Sequence, residues 1–117
     1  MSEIDLAPTR LLYRVPYADT DQMGVVYYAN FFVYFERVRN EVLRDMGVTY
    51  KELEARGIFL PVLESYCRYL QPARYDDLLE IRGRFERVGR TRVKAHAEVS
   101  RDGVLLATGH TVHACLS

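Results

Sequence analysis

Between residues 31 and 46 apolar positions return every three or four residues, and beyond residue 59 they return every second one. Phe31, Phe35, Val38 and Val42 fall at helical spacing, with Phe32, Leu43 and Met46 beside them. Glu36, Arg37, Arg39, Asn40, Glu41 and Arg44 lie mostly elsewhere on the wheel, so the segment predicts one long amphipathic helix. Gly47 is placed to stop it, because glycine takes the left-handed conformation that closes many helices. Thr49-Tyr50-Lys51-Glu52 has the pattern of a capping box, which predicts a short second helix to about Arg56 with Gly57 behind it.

Leu79, Ile81 and Phe85 alternate with Glu80, Arg82, Arg84 and Glu86. Val93, Ala95, Ala97 and Val99 alternate in the same way with Lys94, His96, Glu98 and Ser100. That is the rhythm of strands buried on one face. Asp102-Gly103 before Val104-Leu105-Leu106 is a hairpin signal, and residues 71–77 and Gly89-Arg90 read as two further turns. Leu11 to Tyr17 reads as a first strand, with Pro16 near its end. The predicted order is strand, long helix, short helix, then four strands joined by hairpins. One helix has to cover the apolar face of the antiparallel sheet, since nothing else in the chain can. The expectation is a single α+β domain over residues 1–117.

Composition narrows what such a domain does. Of 117 residues 49% are hydrophobic, enough for a real core. Sixteen basic residues balance sixteen acidic ones, unlike a protein that coats nucleic acid. Cys67 and Cys115 lack the spacing of a disulfide framework or zinc site, and both read as reduced core thiols. The acidic start, Met1 to Asp5, has neither the basic nor the apolar region of a signal peptide. No apolar stretch approaches the roughly 18 residues of a membrane span. A soluble, cytoplasmic protein is expected.

The chemistry concentrates before the long helix, in Tyr17-Ala18-Asp19-Thr20-Asp21-Gln22-Met23-Gly24-Val25-Val26-Tyr27-Tyr28. A helix start presents unpaired amides and a partial positive charge, and so favours an oxyanion. A carboxylate folded back over that end would activate a water or attack directly. Gly24 lets the backbone come close to a ligand, and Gly24 and Val25 are the positions expected to touch it. Asp19 and Asp21 stand two apart, and the spacing does not say which of them works; aspartates before helices also simply cap them.

Asp19-Thr20-Asp21-Gln22-Met23-Gly24-Val25-Val26-Tyr27-Tyr28-Ala29-Asn30, with Tyr34-Phe35-Glu36-Arg37 after it, resembles the signature of 4-hydroxybenzoyl-CoA thioesterase-like hot-dog proteins. It looks closest to the branch of the Tol-Pal-associated acyl-CoA thioesterases. The resemblance continues through Tyr69-Leu70-Gln71-Pro72-Ala73-Arg74-Tyr75-Asp76-Asp77. It implies a hot-dog fold, a five-stranded antiparallel sheet wrapped around one long central helix. It implies hydrolysis of a small acyl-CoA to free acid and coenzyme A, with Asp21 as base or nucleophile and the Tyr28 amide polarising the thioester carbonyl. No metal and no separate cofactor is implied, coenzyme A being part of the substrate. Many members of the closer branch carry His where this chain has Tyr28, and Gln22-Met23 replaces smaller residues.

Arg82, Arg84, Arg87, Arg90, Arg92 and Lys94 crowd one predicted hairpin. They form either a solvated outer face or a grip on the phosphates of coenzyme A, for which Arg90, Thr91 and Arg92 at the turn are the candidates. Glu36 reads as an ion-pair partner of Arg39, Asn40 or a second subunit. His96 reads as a solvated or interface residue, and His110 and His113 fall on opposite phases of one strand. Two other functions stay open: a non-catalytic acyl-CoA or acyl-carrier binding module, and a hydratase, which would need a histidine near the helix. Open strand edges predict a homo-oligomer, dimer or tetramer, with the site between subunits.

Overall fold

A computed structural model describes residues 8–117. Residues 1–7, on which the reading of the N-terminus as lacking a signal peptide rests, lie outside the described residues. The elements run β1 (Thr9–Arg14), α1 (Asn30–Asp45), α2 (Tyr50–Ala55), β2 (Val62–Tyr69), β3 (Leu78–Arg87), β4 (Arg92–Arg101) and β5 (Val104–Ala114). The strands form one antiparallel sheet in the order β1-β3-β4-β5-β2, with α1 packed across it. This is the architecture the periodicity predicts. No helix among the described residues is long and apolar enough to cross a membrane.

Each boundary has a local cause. β1 ends at Arg14 rather than Tyr17, because Pro16 has no amide to continue a ladder and Tyr17–Asp19 turn into a short 3-10 helix. α1 closes at Gly47 with φ of +91°. There Gly47 N–H donates to Arg44 O at 2.9 Å and Val48 N–H to Leu43 O at 3.0 Å, the paired bonds that satisfy the last carbonyls of a helix. At the start of α2 both halves of the capping box form, Thr49 Oγ1 accepting from Glu52 N–H and Glu52 Oε1 from Thr49 N–H. Asp102 and Gly103, with φ of +52° and +79°, make the tight β4–β5 turn.

Two expectations are corrected. Residues 71–77 do not form a hairpin turn. β2 pairs with β5 at one edge, whereas β3 lies between β1 and β4, so the segment crosses the sheet to the strand next to the opposite edge. Turn residues mark where a chain changes direction but carry no information about which strand it joins. Cys115 is exposed beyond the end of β5 and is not a core thiol, while Cys67 is half-buried.

The core lies between α1 and the inner face of the sheet. Phe31, Tyr34, Phe35 and Val38 from the helix meet Leu79, Ile81, Ala97, Val99, Leu106 and Ala107 from the strands. Two glycines let the helix sit this close. A Cβ on Gly83 would come within 2.9 Å of a Val38 methyl carbon, and one on Gly109 within 2.6 Å of Phe35 Cε2.

Candidate active site

The segment between β1 and α1 is a small hairpin held on three sides. Thr20 bridges Val26, Asp21 N–H donates to Val25 O at 2.9 Å, and Val26 N–H donates to Ala73 O at 2.8 Å. Gly24, at φ +78°, makes the reversal. Tyr27 N–H then returns to Asp19 O at 2.9 Å, where the Asn30 side-chain amide also donates. The loop is thereby folded back against the start of α1.

The two aspartates have different surroundings. Asp19 Oδ2 accepts from the hydroxyls of both Tyr13 (2.7 Å) and Tyr34 (2.8 Å). Tyr34 is buried at the helix–sheet interface, so its hydroxyl needs a partner there. Asp19 supplies it and is occupied in holding the loop to β1 and α1. Burial first, and then the bond to Asp19, push the Tyr13 phenol up to about 12 and the Tyr34 phenol higher still. Asp21 is half-buried at the loop tip. Its Oδ1 accepts from Met23 N–H at 2.8 Å and, more loosely, from Val25 N–H at 3.4 Å. Among the described residues its Oδ2 accepts no hydrogen bond.

α1 starts without a side-chain cap, because Ala29 at the cap position carries no acceptor. Asn30, Phe31 and Phe32 donate back to Tyr27 O, Tyr28 O and Ala29 O. Among the described residues the amides of Tyr28 and Ala29 donate to nothing. The phenol of the exposed Tyr27 is raised chiefly by its neighbour Tyr28, with Asp21 the least of several causes.

An apolar cleft of about 300 Å³ opens beside these amides. Val25, Tyr28 and Phe31 form one side, and Tyr69, Pro72 and Ala73 from the end of β2 and the crossing segment form the other. Tyr69 also donates its hydroxyl to Tyr28 O at 2.9 Å. Of the residues singled out in the sequence, Val25 and Tyr28 line this cleft, whereas Asp21 and Gly24 belong to the adjoining loop and are not part of its lining. The tyrosines that fix Asp19, and Tyr69 in the cleft wall, were not singled out. A tyrosine on the apolar face of α1 did signal that a buried hydroxyl would need an acceptor, and Asp19 stood in the adjoining loop.

The other candidates lie elsewhere. Arg90, Thr91 and Arg92 sit on the exposed β3–β4 turn, at the far end of β3 from Leu79, which pairs with Tyr13 beside the site. The ten residues of β3 put roughly 30 Å between the two ends. One chain therefore does not bring this turn to Tyr28. Among the described residues the side chains of Arg90, Thr91 and Arg92 form no hydrogen bond or ion pair, and Arg87 braces the turn through Gly89 O and Arg90 O. Glu36 is exposed and pairs with nothing within 4 Å among the described residues, acting on Arg39 only at longer range.

His96 lies on the outer sheet face, 2.7 Å from Glu86 Oε1. His110 is its cross-strand neighbour on the same face, and His113 points inward and is buried. Opposite phases for His110 and His113 are what the sequence predicts.

Residues 15–117 match the model of the thioesterase-like superfamily, and the chain belongs to that family. It is 34% identical over 104 residues to the acyl-CoA thioester hydrolase YbgC of Escherichia coli, covering 88% of this chain and 78% of that protein. A crystal structure of a hypothetical protein from Thermus thermophilus superposes with a TM-score of 0.88 at 39% identity, over 92% of this chain and 82% of that one. The 4-hydroxybenzoyl-CoA thioesterase of a Pseudomonas strain shares the fold, at a TM-score of 0.84 and 19% identity over 94% of this chain and 85% of that one.

Proposed function

We propose that the protein hydrolyses the thioester of a small acyl-CoA, with Asp21 as base or nucleophile and the amides at the start of α1 as the oxyanion hole. The observation that carries this is a pairing seven residues apart in a thioesterase-like chain. A carboxylate with one unengaged oxygen lies in the loop folded back against an uncapped helix start with two unengaged amides, which an apolar cleft adjoins.

The thioester carbonyl oxygen would lie against the Tyr28 amide, joined by that of Ala29. As a nucleophile adds, the oxygen takes up negative charge that the amides and the helix dipole stabilise. One such donor is typically worth about 3–4 kcal/mol. Asp21 would take a proton from the attacking water, or attack the carbonyl itself to give an anhydride that water then opens. In both routes the thioester C–S bond breaks, and coenzyme A leaves as the thiol. Since Tyr28 carries no imidazole, acid–base work falls to Asp21.

A second copy of the chain would complete the site. The Arg90–Arg92 turn and the Tyr28 amide are too far apart for one coenzyme A to join them within a protomer. β2 is an edge strand with Val62, Leu63 and Tyr66 half-exposed, as suits a surface that pairs with another copy. Light scattering at micromolar concentration tests this, a dimer or tetramer being the expected result and a monomer the contrary one. Thiol release from a panel of acyl-CoAs, wild type beside Asp21→Asn, tests the chemistry.

A further inference from the structure

We infer that Tyr69 is a positioning residue of this site, its hydroxyl setting the peptide that carries the Ala29 amide and its ring walling the acyl cleft. The inference rests on the thioesterase reading above.

Tyr28 C=O and Ala29 N–H belong to one planar peptide unit, so whatever holds the oxygen also aims the N–H at its other end. That oxygen accepts two bonds, from Phe31 N–H at 3.2 Å and from Tyr69 O–H at 2.9 Å. The first comes from within the helix start itself. The second comes from the last residue of β2 and ties the helix start to the edge strand. It is the shorter of the two.

The ring is fixed as well. It meets Phe31 edge-on at 5.3 Å between centroids and Tyr28 edge-on at 6.3 Å. These rings, with Leu70 and Pro72, make the cleft wall. Burial, followed by the neighbouring Cys67 thiol, pushes the Tyr69 phenol above its ordinary value.

Tyr69 breaks and makes no bond of the substrate. Removing its hydroxyl leaves the peptide on the longer bond alone, free to tilt away from the developing oxyanion. An interaction made mainly in the transition state is then lost, while ground-state binding in the cleft is kept.

The experiment is steady-state thiol release over an acyl-CoA panel for wild type, Tyr69→Phe, Tyr69→Ala and Tyr50→Phe. For Tyr69→Phe we expect kcat to fall about three- to tenfold, the worth of one hydrogen bond, with KM unchanged. The rank order of substrates should hold. Tyr69→Ala, which also removes the wall, should raise KM for compact acyl groups in addition. Tyr50→Phe makes the same deletion on α2, where the ring packs against the Val42 and Leu43 end of α1 away from the site, and should leave kcat at the wild-type level. A Tyr69→Phe enzyme with wild-type kcat, or one altered only in KM, overturns the positioning role. A wild type with no turnover on any acyl-CoA overturns the thioesterase reading itself, a failure distinct from an active wild type that Tyr69→Phe matches.

Discussion

Tyr34 donates its hydroxyl to Asp19 Oδ2 at 2.8 Å from inside the helix–sheet core, and Tyr13 donates to the same oxygen at 2.7 Å. This shared acceptor separates two carboxylates that their spacing alone leaves equivalent. Asp19 is engaged by two phenols, whereas Asp21 Oδ2 accepts no hydrogen bond among the described residues.

Removing the anchor should therefore act on stability. Tyr34→Phe loses one bond, and about 1 kcal/mol is expected from urea unfolding. Asp19→Ala strands two hydroxyls, one of them in the core, and should cost about 2–3 kcal/mol. A destabilisation under 0.5 kcal/mol for Asp19→Ala, on the order of a neutral surface change, would contradict the anchoring role.

The same cluster predicts an alkaline limit. Tyr13 titrates at about 12 in the folded chain, Tyr34 higher, and an unfolded tyrosine near 10. Groups raised on folding contribute stability that is complete below their unfolded value and lost as pH rises toward the folded one. The urea midpoint should fall progressively between about pH 10 and 12. The decline should be shallower in a Tyr13→Phe, Tyr34→Phe double variant, and an equal slope in both proteins would count against it.

His113 sets the acid side. Thr111 Oγ1 lies 2.8 Å from its Nε2, and Leu60 O lies 2.9 Å from its Nδ1. A carbonyl can only accept, so Nδ1 carries the proton and Thr111 donates to Nε2. Arg39 Nη1 in turn donates to Thr111 Oγ1. A second proton on His113 would reverse the Thr111 bond beside that guanidinium. Burial above all, with Arg39 adding to it, lowers its pKa. Stability from this group is present above the unfolded value of about 6.5 and is lost as pH falls through the lower folded one. Nitrogen-15 chemical shifts should report the Nδ1–H tautomer at neutral pH and a midpoint below that of a free histidine.

Much of this fold was legible beforehand. The switch of period at residue 59, the capping box at Thr49 and Glu52, and the turn at Asp102-Gly103 are local signals, and local structure follows them. The place of β2 was not legible, because pairing with β5 depends on a crossing whose residues look like those of any turn. Gly109 illustrates the same gap. In the sequence it is a weakness within a strand, and only the packing of Phe35 against it explains its size. Gly109→Ala should cost about 1–3 kcal/mol, more than Gly83→Ala, because the new methyl group would meet the Tyr66 backbone as well as a ring. At Gly83 only Val38 methyls crowd the position most closely, and they can move. Of the candidate site, the motif loop stands out in the sequence, but the different surroundings of its two aspartates come from Tyr13 and Tyr34, which reach it from other elements.

The most direct test of the central claim is kcat/KM for thiol release on the best acyl-CoA, compared between Asp21→Asn and Asp19→Asn at matched folded fraction. Asp21→Asn keeps the shape of the loop and removes the charge, and should lower the rate by at least about a hundredfold. Asp19→Asn keeps an acceptor for both tyrosines and should stay within about tenfold of wild type. Asp21→Asn at wild-type rate, or Asp19→Asn as the deeper loss, would contradict the account.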